Sequence, residues 1–153
     1  MDLKNRRIAV IGAGIADKDL QELAYKVGYI LGEQGAIVYT GGLGGVMEAA
    51  SHGAVDAGGV TVGILPGNKA EEANPYVLIP VITDMGHARN VILVRSAEIL
   101  VAIGGGYGTL SEIALALKMW KPVIGLKTWK DISGVHYVSS PEEVLVKISE
   151  LLS

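Results

Sequence analysis

Residues 104–112 combine a glycine loop with a threonine and a glutamate, a pattern that suits an anion site. The loop Gly-Gly-Gly-Tyr-Gly-Thr follows the apolar run 99–103, and apolar residues resume at helical spacing from Leu110. This pattern is typical of a strand, a tight loop and a helix. The first amides of a helix have no partners within it and lie at the positive end of its dipole, so they attract anions. We expect a phosphate to lie on the amides of Gly105, Gly106, Tyr107, Gly108 and Thr109.

Glu112 lies three residues after Thr109, one turn inside the same helix mouth. A carboxylate at that position would not help to bind an anion. Its presence therefore suggests work on a group beside the phosphate, such as a sugar hydroxyl. The alternative is that the carboxylate lies there because the helix dipole favours it.

Two further glycine loops follow apolar runs earlier in the chain. Gly12-Ala13-Gly14 comes directly after the run 8–11, and the glycine-rich segment 41–45 comes after 36–40. Each loop alone could be a simple strand-to-helix turn. Three such loops converging on one crevice favour a phosphate-type ligand. From these two loops we expect the site to include Gly12, Gly14, Gly41, Gly42 and Gly45.

Other nucleotide and metal motifs are absent or incomplete. A dinucleotide fingerprint needs a third glycine in the first loop and an acid after the second strand, but Asp17 and Thr40 occupy those places. No glycine loop is followed by Lys-Ser or Lys-Thr, which excludes a P-loop. The chain has no cysteine, and no His, Asp and Glu spacing suggests a metal site. We therefore expect neither a metal nor a resident cofactor.

Strand-like and helix-like segments alternate along the chain, which predicts an α/β fold. Half of the 153 residues are hydrophobic and 21 are glycine, a composition that suits a buried parallel sheet with short loops. We expect one domain over 1–153, a Rossmann-like three-layer αβα sandwich with a mostly parallel, doubly wound sheet. The main strands are predicted over 7–11, 36–40, 60–65, 98–103 and 122–126, with helices over 17–34, 46–57, 85–96, 109–120 and from about 140.

The winding of such a sheet predicts where the ligand binds. The chain should start in the middle, wind outward, and cross back through 66–97 to the other side of the first strand. Ligands bind at the carboxyl ends of the strands where the winding reverses. The loops 12–16 and 104–108 should therefore lie side by side, with 41–45 adjacent. Pro80 indicates that its segment is an edge piece or part of the crossover.

The helix predicted over 85–96 carries two arginines and a histidine, and Asp84 is its expected N-cap. Arg89 should pass near the first glycine loop, although a solvated surface arginine is the alternative for both Arg89 and Arg95. We expect His87 to be a hydrogen-bonding neighbour of the site. The side chains expected to pack or to form an interface are those of Tyr107, Trp120 and Trp129.

The net charge of −3 gives no electrostatic case for nucleic acid or an anionic membrane as a partner. No apolar run reaches membrane-spanning length, and the run 8–11 is too short for a signal peptide. We expect a cytoplasmic protein whose partner is a small phosphorylated molecule.

The segment 104–112 resembles the Pro-Gly-Gly-x-Gly-Thr-x-x-Glu motif of the LONELY GUY proteins, which are nucleoside 5′-monophosphate phosphoribohydrolases long labelled possible lysine decarboxylases. Residues 85–90 and Arg95 resemble the Arg-Lys helix of that family, and 38–47 resembles its two glycine segments. Two positions depart from the pattern. Gly104 replaces the motif's proline, and Asn90 replaces its lysine. The chain also resembles a short branch related to the molybdenum cofactor carrier protein.

The resemblance implies that Arg89 and Glu112 are catalytic and that Met47 belongs to the binding site. It implies hydrolysis of a nucleoside 5′-monophosphate to free base and ribose 5-phosphate, in a homodimer or homotetramer. The alternative is a carrier that binds a phosphorylated ligand such as molybdopterin without turnover. A lysine decarboxylase would need a lysine for pyridoxal phosphate, and no lysine lies at a recognisable position.

Overall fold

A computed structural model describes residues 2–153, in which strands and helices alternate from one end to the other. Side-chain caps set two helix starts, since the side chains of Asp17 and Ser140 accept hydrogen bonds from the backbone amides of Leu20 and Glu143. The elements are β1 (Arg7–Gly12), α1 (Lys18–Glu33), β2 (Ile37–Thr40), α2 (Val46–Asp56), β3 (Val60–Leu65), β4 (Ile79–Ile82), α3 (Arg89–Ser96), β5 (Ile99–Ile103), α4 (Tyr107–Lys118), β6 (Val123–Leu126), β7 (Val135–Val138) and α5 (Pro141–Leu152).

The seven strands form one sheet in the order β4-β3-β2-β1-β5-β6-β7, and every neighbouring pair is parallel. The predicted doubly wound Rossmann-like fold is therefore confirmed. The winding reverses between β1 and β5, where Gly12 is in register with Ile103. The two strands that carry the first and third glycine loops are thus direct neighbours. Pro80 lies in the edge strand β4, which agrees with its expected position.

Both faces of the sheet are covered by helices, which makes two apolar layers. Alternate residues of β1 point to opposite faces, so Ile8 and Val10 join one core cluster while Ala9 and Ile11 join the other. The first cluster includes α1, α2 and α5, and the second includes α3 and α4. Burying one such isoleucine contributes about 1.5–3 kcal/mol, so the core holds the strand ends firmly in place. None of the helices within residues 2–153 combines the length and hydropathy needed to span a bilayer.

Glycines allow α1 and α2 to pack backbone against backbone. A Cβ at Gly28 would lie 2.0 Å from the carbonyl oxygen of Ala50, and one at Gly53 would lie 2.0 Å from that of Tyr25. Such separations leave no space for a side chain. This close contact fixes α2 against α1, and therefore positions the loop 41–45 that leads into α2.

The segment before α3 differs from its prediction. A helix over 85–96 capped by Asp84 was expected, but Asp84 has a positive φ of 53° and Gly86 one of 57°. These conformations cannot continue a helix. A short 3-10 turn occupies Gly86–Ala88 instead, and the α-helix begins at Arg89. Arg89 is therefore the first residue of α3 and faces the site, instead of lying in the middle of a longer helix.

Candidate functional site

The carboxyl edge of the sheet contains a cleft of about 560 Å³ where the winding reverses. All three glycine loops reach it, as the topology predicts. Its lining residues are Ile11, Gly12, Gly14, Gly41, Leu43, Met47, Pro66, Gly86, His87, Arg89, Asn90, Gly106, Gly108, Thr109 and Glu112.

Nine of the expected site residues line this cleft, and four do not. The nine are Gly12, Gly14, Gly41, Met47, Arg89, Gly106, Gly108, Thr109 and Glu112. Gly42 and Gly45 have φ of 79° and 64° and shape their loop, because a Cβ would meet Leu65 or Ala13. Gly105 is not among the residues that line the cleft. The side chain of Tyr107 points outward and is 83% exposed.

Backbone contacts join the three loops directly. Ala13 donates its amide to the carbonyl of Ile103 at 3.3 Å, and the carbonyl of Ala13 accepts from the amide of Val46 at 2.9 Å. A Cβ at Gly12 would lie 2.1 Å from the Ile103 oxygen. The first loop is therefore held between the end of β5 and the start of α2.

The mouth of α4 lines the cleft through Gly106, Gly108 and Thr109. Gly106 is the N-cap, and the amide of Leu110 makes the first helical bond to its carbonyl at 3.1 Å. The amides before Leu110 therefore have no partners within the helix. Gly105 has a φ of 111°, and a Cβ there would collide with the Thr109 side chain at 2.3 Å. The helix was predicted from Thr109 but begins at Tyr107, because glycine at 106 and 108 hides the true start from the apolar spacing.

The loop after β6 supports this helix mouth, which the sequence did not predict. Thr128 donates its hydroxyl to the carbonyl of Gly104 at 2.7 Å, and Trp129 donates Nε1 to the carbonyl of Gly106 at 3.0 Å. The Gly104 amide in turn donates to Lys127 at 2.9 Å. Trp129 also packs against Tyr107, with ring centroids 5.9 Å apart. These bonds hold the main chain of the helix mouth in one conformation beside the cleft.

Arg89 and Glu112 meet in the cleft as a buried pair of opposite charge. They are 9% and 6% exposed, and Arg89 Nη1 lies 3.9 Å from Glu112 Oε2. Burial raises the pKa of the Glu112 carboxyl to about 7, although the Arg89 charge opposes the shift. Burial likewise lowers the pKa of the Arg89 guanidinium, with Glu112 opposing. The surface-arginine alternative is therefore wrong for Arg89, whereas Arg95 is exposed.

Other lining residues were not expected from the sequence as parts of the site. Ile11, Leu43 and Pro66 add apolar surface, and Gly86 brings the turn before α3 close to the cleft. His87, which is expected from the sequence beside the site, lines the cleft and is exposed. Ile11 and Pro66 belong to no recognised motif, so only the fold reveals them. Within residues 2–153, no three His, Asp or Glu side chains lie close enough together to hold a metal ion.

Comparison with known proteins decides the family. The sequence model of the SLOG cluster4 family matches residues 5–150. This chain belongs to the SLOG cluster4 family.

Three relatives of this SLOG cluster4 protein are informative. An uncharacterized protein of Archaeoglobus fulgidus is 48% identical over 143 residues, which is 94% of each chain. The molybdenum cofactor binding protein of Rippkaea orientalis has a TM-score of 0.92 at 37% identity, covering 99% of this chain and 100% of that one. The rice (Oryza sativa) cytokinin riboside 5′-monophosphate phosphoribohydrolase LOG is 33% identical over 120 residues. That match covers 76% of this chain but 45% of the rice protein. The resemblances to the LONELY GUY proteins and to the molybdenum cofactor carrier protein, which the motifs predict, are therefore confirmed.

We expect the free energy of unfolding of this SLOG cluster4 protein to fall as the pH rises from about 5 to 7. Burial raises the pKa of Glu112 from 4.5 to about 7, so between these values the folded state binds more protons than the unfolded state. Stability must then fall with rising pH, by about 3 kcal/mol at most. Urea unfolding at several pH values would measure it. If Glu112→Gln, which cannot titrate, gave a curve parallel to that of the natural protein, the prediction would be wrong.

Proposed function

We propose that the cleft binds a nucleoside 5′-monophosphate and that the protein cleaves its N-glycosidic bond. Water attacks the anomeric carbon, the bond from that carbon to the base breaks, and the base leaves with a proton. The products are free base and ribose 5-phosphate. The observation that carries this proposal is the buried pair of Arg89 and Glu112, which faces the same cleft as the free amides of α4.

The phosphate is assigned to the mouth of α4. The amides of Gly106, Gly108 and Thr109, which line the cleft, would hold it, together with the Thr109 hydroxyl. Backbone amides at a helix start suit a phosphate because they donate several bonds without needing a counter-ion. The support from Thr128 and Trp129 keeps the loop in this orientation before the ligand arrives, which lowers the cost of binding.

The ribose is assigned to Glu112, which lies one turn deeper than the phosphate amides. Its carboxylate would accept bonds from ribose hydroxyls and stabilise the positive charge that develops at the anomeric carbon, as in other oxocarbenium-like hydrolyses. Arg89 would bind the phosphate or assist the departing base. The low exposure of both side chains strengthens their electrostatic effect on a bound ligand.

A carrier without turnover is the second candidate. The match to the molybdenum cofactor binding protein of Rippkaea orientalis covers nearly the whole of both chains, whereas the match to the rice hydrolase covers 45% of that enzyme. Asn90 also stands where the hydrolase motif has a lysine, so this cleft carries one cation fewer. A phosphorylated pterin is the ligand that this candidate predicts.

Incubation with AMP distinguishes the two candidates. The hydrolase predicts steady release of adenine, detected by chromatography, which Arg89→Ala abolishes. Arg95→Ala is the matched control, since Arg95 is an exposed arginine on the same helix and should leave release unchanged. Absence of base release from AMP and other purine monophosphates, together with stoichiometric retention of a fluorescent pterin, would favour the carrier. Release that survives both Arg89→Ala and Glu112→Ala would refute the proposed mechanism.

We also propose a homodimer or homotetramer. The outer surface of α3 leaves Val91 and Ile92 39% and 37% exposed, beside a groove of about 760 Å³ lined in part by Ala88, Ala114 and Leu115. An apolar helix surface of this kind is often covered by a second copy. Sedimentation at the mass of a single chain would contradict this proposal.

A further inference from the structure

The residue that follows Arg89 is a buried amide that connects α3 to α4. Asn90 is 8% exposed, and its Oδ1 accepts a hydrogen bond from Nη1 of Arg89. Its Nδ2 donates to Oγ of Ser111 at 3.3 Å. The Ser111 hydroxyl donates in turn to the carbonyl of Gly108 at 2.7 Å. A chain of hydrogen bonds therefore runs from the Arg89 guanidinium to the first turn of α4.

Arg89 does not form the hydrogen bonds with Glu112 that the two groups would otherwise favour. A guanidinium and a carboxylate in a buried site usually pair at about 2.7–2.9 Å, often through two parallel bonds. Here Nη1 of Arg89 lies 3.9 Å from Oε2 of Glu112, which is too far for a hydrogen bond. The two side chains are close enough for their charges to attract each other, but they form no hydrogen bond.

Two neighbours account for this separation. Asn90 accepts the bond from Nη1, and the main chain at Gly41 lies against the other side of the guanidinium. A Cβ at Gly41 would be 2.7 Å from Nη2 and 2.8 Å from Cζ of Arg89. The guanidinium thus lies in a slot between an amide acceptor and a glycine, and the slot holds it beside Glu112 rather than on it.

We propose that Asn90 is a positioning residue that holds Arg89 apart from Glu112, so that both oxygens of the Glu112 carboxylate remain available to the ligand. This inference rests on the proposed function for its purpose, since a ribose needs those oxygens. A neutral amide suits the task better than its charged alternatives. Lysine at this position could not accept the bond from Arg89, and aspartate would compete with Glu112 for its charge.

The test follows the titration of the Glu112 carboxyl in the ligand-free protein by carbon-detected NMR. The titratable side chains that line the cleft are His87, Arg89 and Glu112, and Glu112 should titrate near pH 7. In Asn90→Leu, Arg89 loses its acceptor and closes on Glu112, so the midpoint should fall by about one pH unit or more. In Asn90→Asp, the acceptor remains and a negative charge is added, so the midpoint should rise.

Leucine has as many side-chain heavy atoms as asparagine, so a fall of the midpoint in Asn90→Leu reports the lost acceptor rather than lost packing. The rise in Asn90→Asp follows from the added charge and shows that the carboxyl of Glu112 responds to residue 90. Ser96→Ala, at the far end of α3, is the control and should leave the midpoint unchanged. Asn90→Ala serves if the leucine variant does not fold, with a fall again expected. A midpoint that stays constant when the amide is removed, or that moves in one direction in all variants, would overturn the proposal. The titration measures no turnover. Its result therefore tests the role of Asn90 separately from AMP hydrolysis, and either proposal can be refuted while the other is supported.

Discussion

Glu112→Gln should lower the rate of base release from AMP by about 10²–10³-fold. The amide keeps the shape of the side chain but carries no negative charge, so it cannot stabilise positive charge at the anomeric carbon. Phosphate binding should persist, because the amides of α4 that would hold it are main-chain groups fixed by Thr128 and Trp129. Chromatography of the products would measure the rate, and calorimetry with AMP would measure binding.

Glu142→Gln is the matched control for this prediction. Glu142 is another glutamate in the first turn of a helix, but it is exposed and lies on α5, away from the cleft. Its substitution should change neither base release nor AMP binding. If Glu112→Gln hydrolysed AMP as fast as the natural protein, Glu112 would have no electrostatic role and the proposed mechanism would be wrong.

Gly28→Ala should reduce the free energy of unfolding by about 3 kcal/mol, at the upper end of the usual range for overpacking. The added methyl group would lie 2.0 Å from the carbonyl oxygen of Ala50, and the Ala50 carbonyl carbon and Cα are also within 3 Å. These are backbone atoms, so no side-chain rotation can relieve the clash. The two helices must separate, which also displaces the loop before α2. Urea unfolding would measure the loss.

Gly108→Ala provides the contrasting control. Gly108 is also a helical glycine, but an added Cβ would have no neighbour within 4 Å. Its substitution should change stability by about 1 kcal/mol at most, and in the stabilising direction, because alanine is the better helix former. Equal stability of the natural protein and Gly28→Ala would show that the α1–α2 contact is not as rigid as the glycines indicate.

The fold could be predicted from the sequence because its signals are local and repeated. Apolar runs define the strands, and three of them lead through glycines into segments with helical spacing. The crossover through 66–97 defines the switch point. Element starts were harder to predict. Asp84 has the composition of an N-cap, yet its positive φ turns the chain away from a helix. Tertiary contacts decide whether an aspartate caps a helix or lies in a turn. Here the amide of Asp84 donates to the carbonyl of Gly67 at 2.9 Å.

The parts of the site that consist of main chain could be predicted from the sequence, whereas the side-chain contacts could not. Glycines that follow an apolar run indicate close approach of the backbone to a ligand, so the pattern identifies the loops at 12–14, 41–45 and 104–108. Thr128 and Trp129 were not predicted, because they reach the helix mouth from the loop after β6, which is adjacent in space but distant in sequence. The separation of Arg89 from Glu112 is also invisible in the sequence, since it depends on which acceptor the guanidinium meets first.

The bonding of the three loops to one another limits how the cleft could be redesigned. Ala13 is bonded through its amide to the end of β5 and through its carbonyl to the start of α2, and Gly45 packs directly on it. A loop transplanted from another protein into any one of these positions would change the backbone contacts that position the other two loops. A change of ligand specificity in this framework would therefore have to exchange the three segments as a set, or be confined to side chains that reach the cleft from outside them.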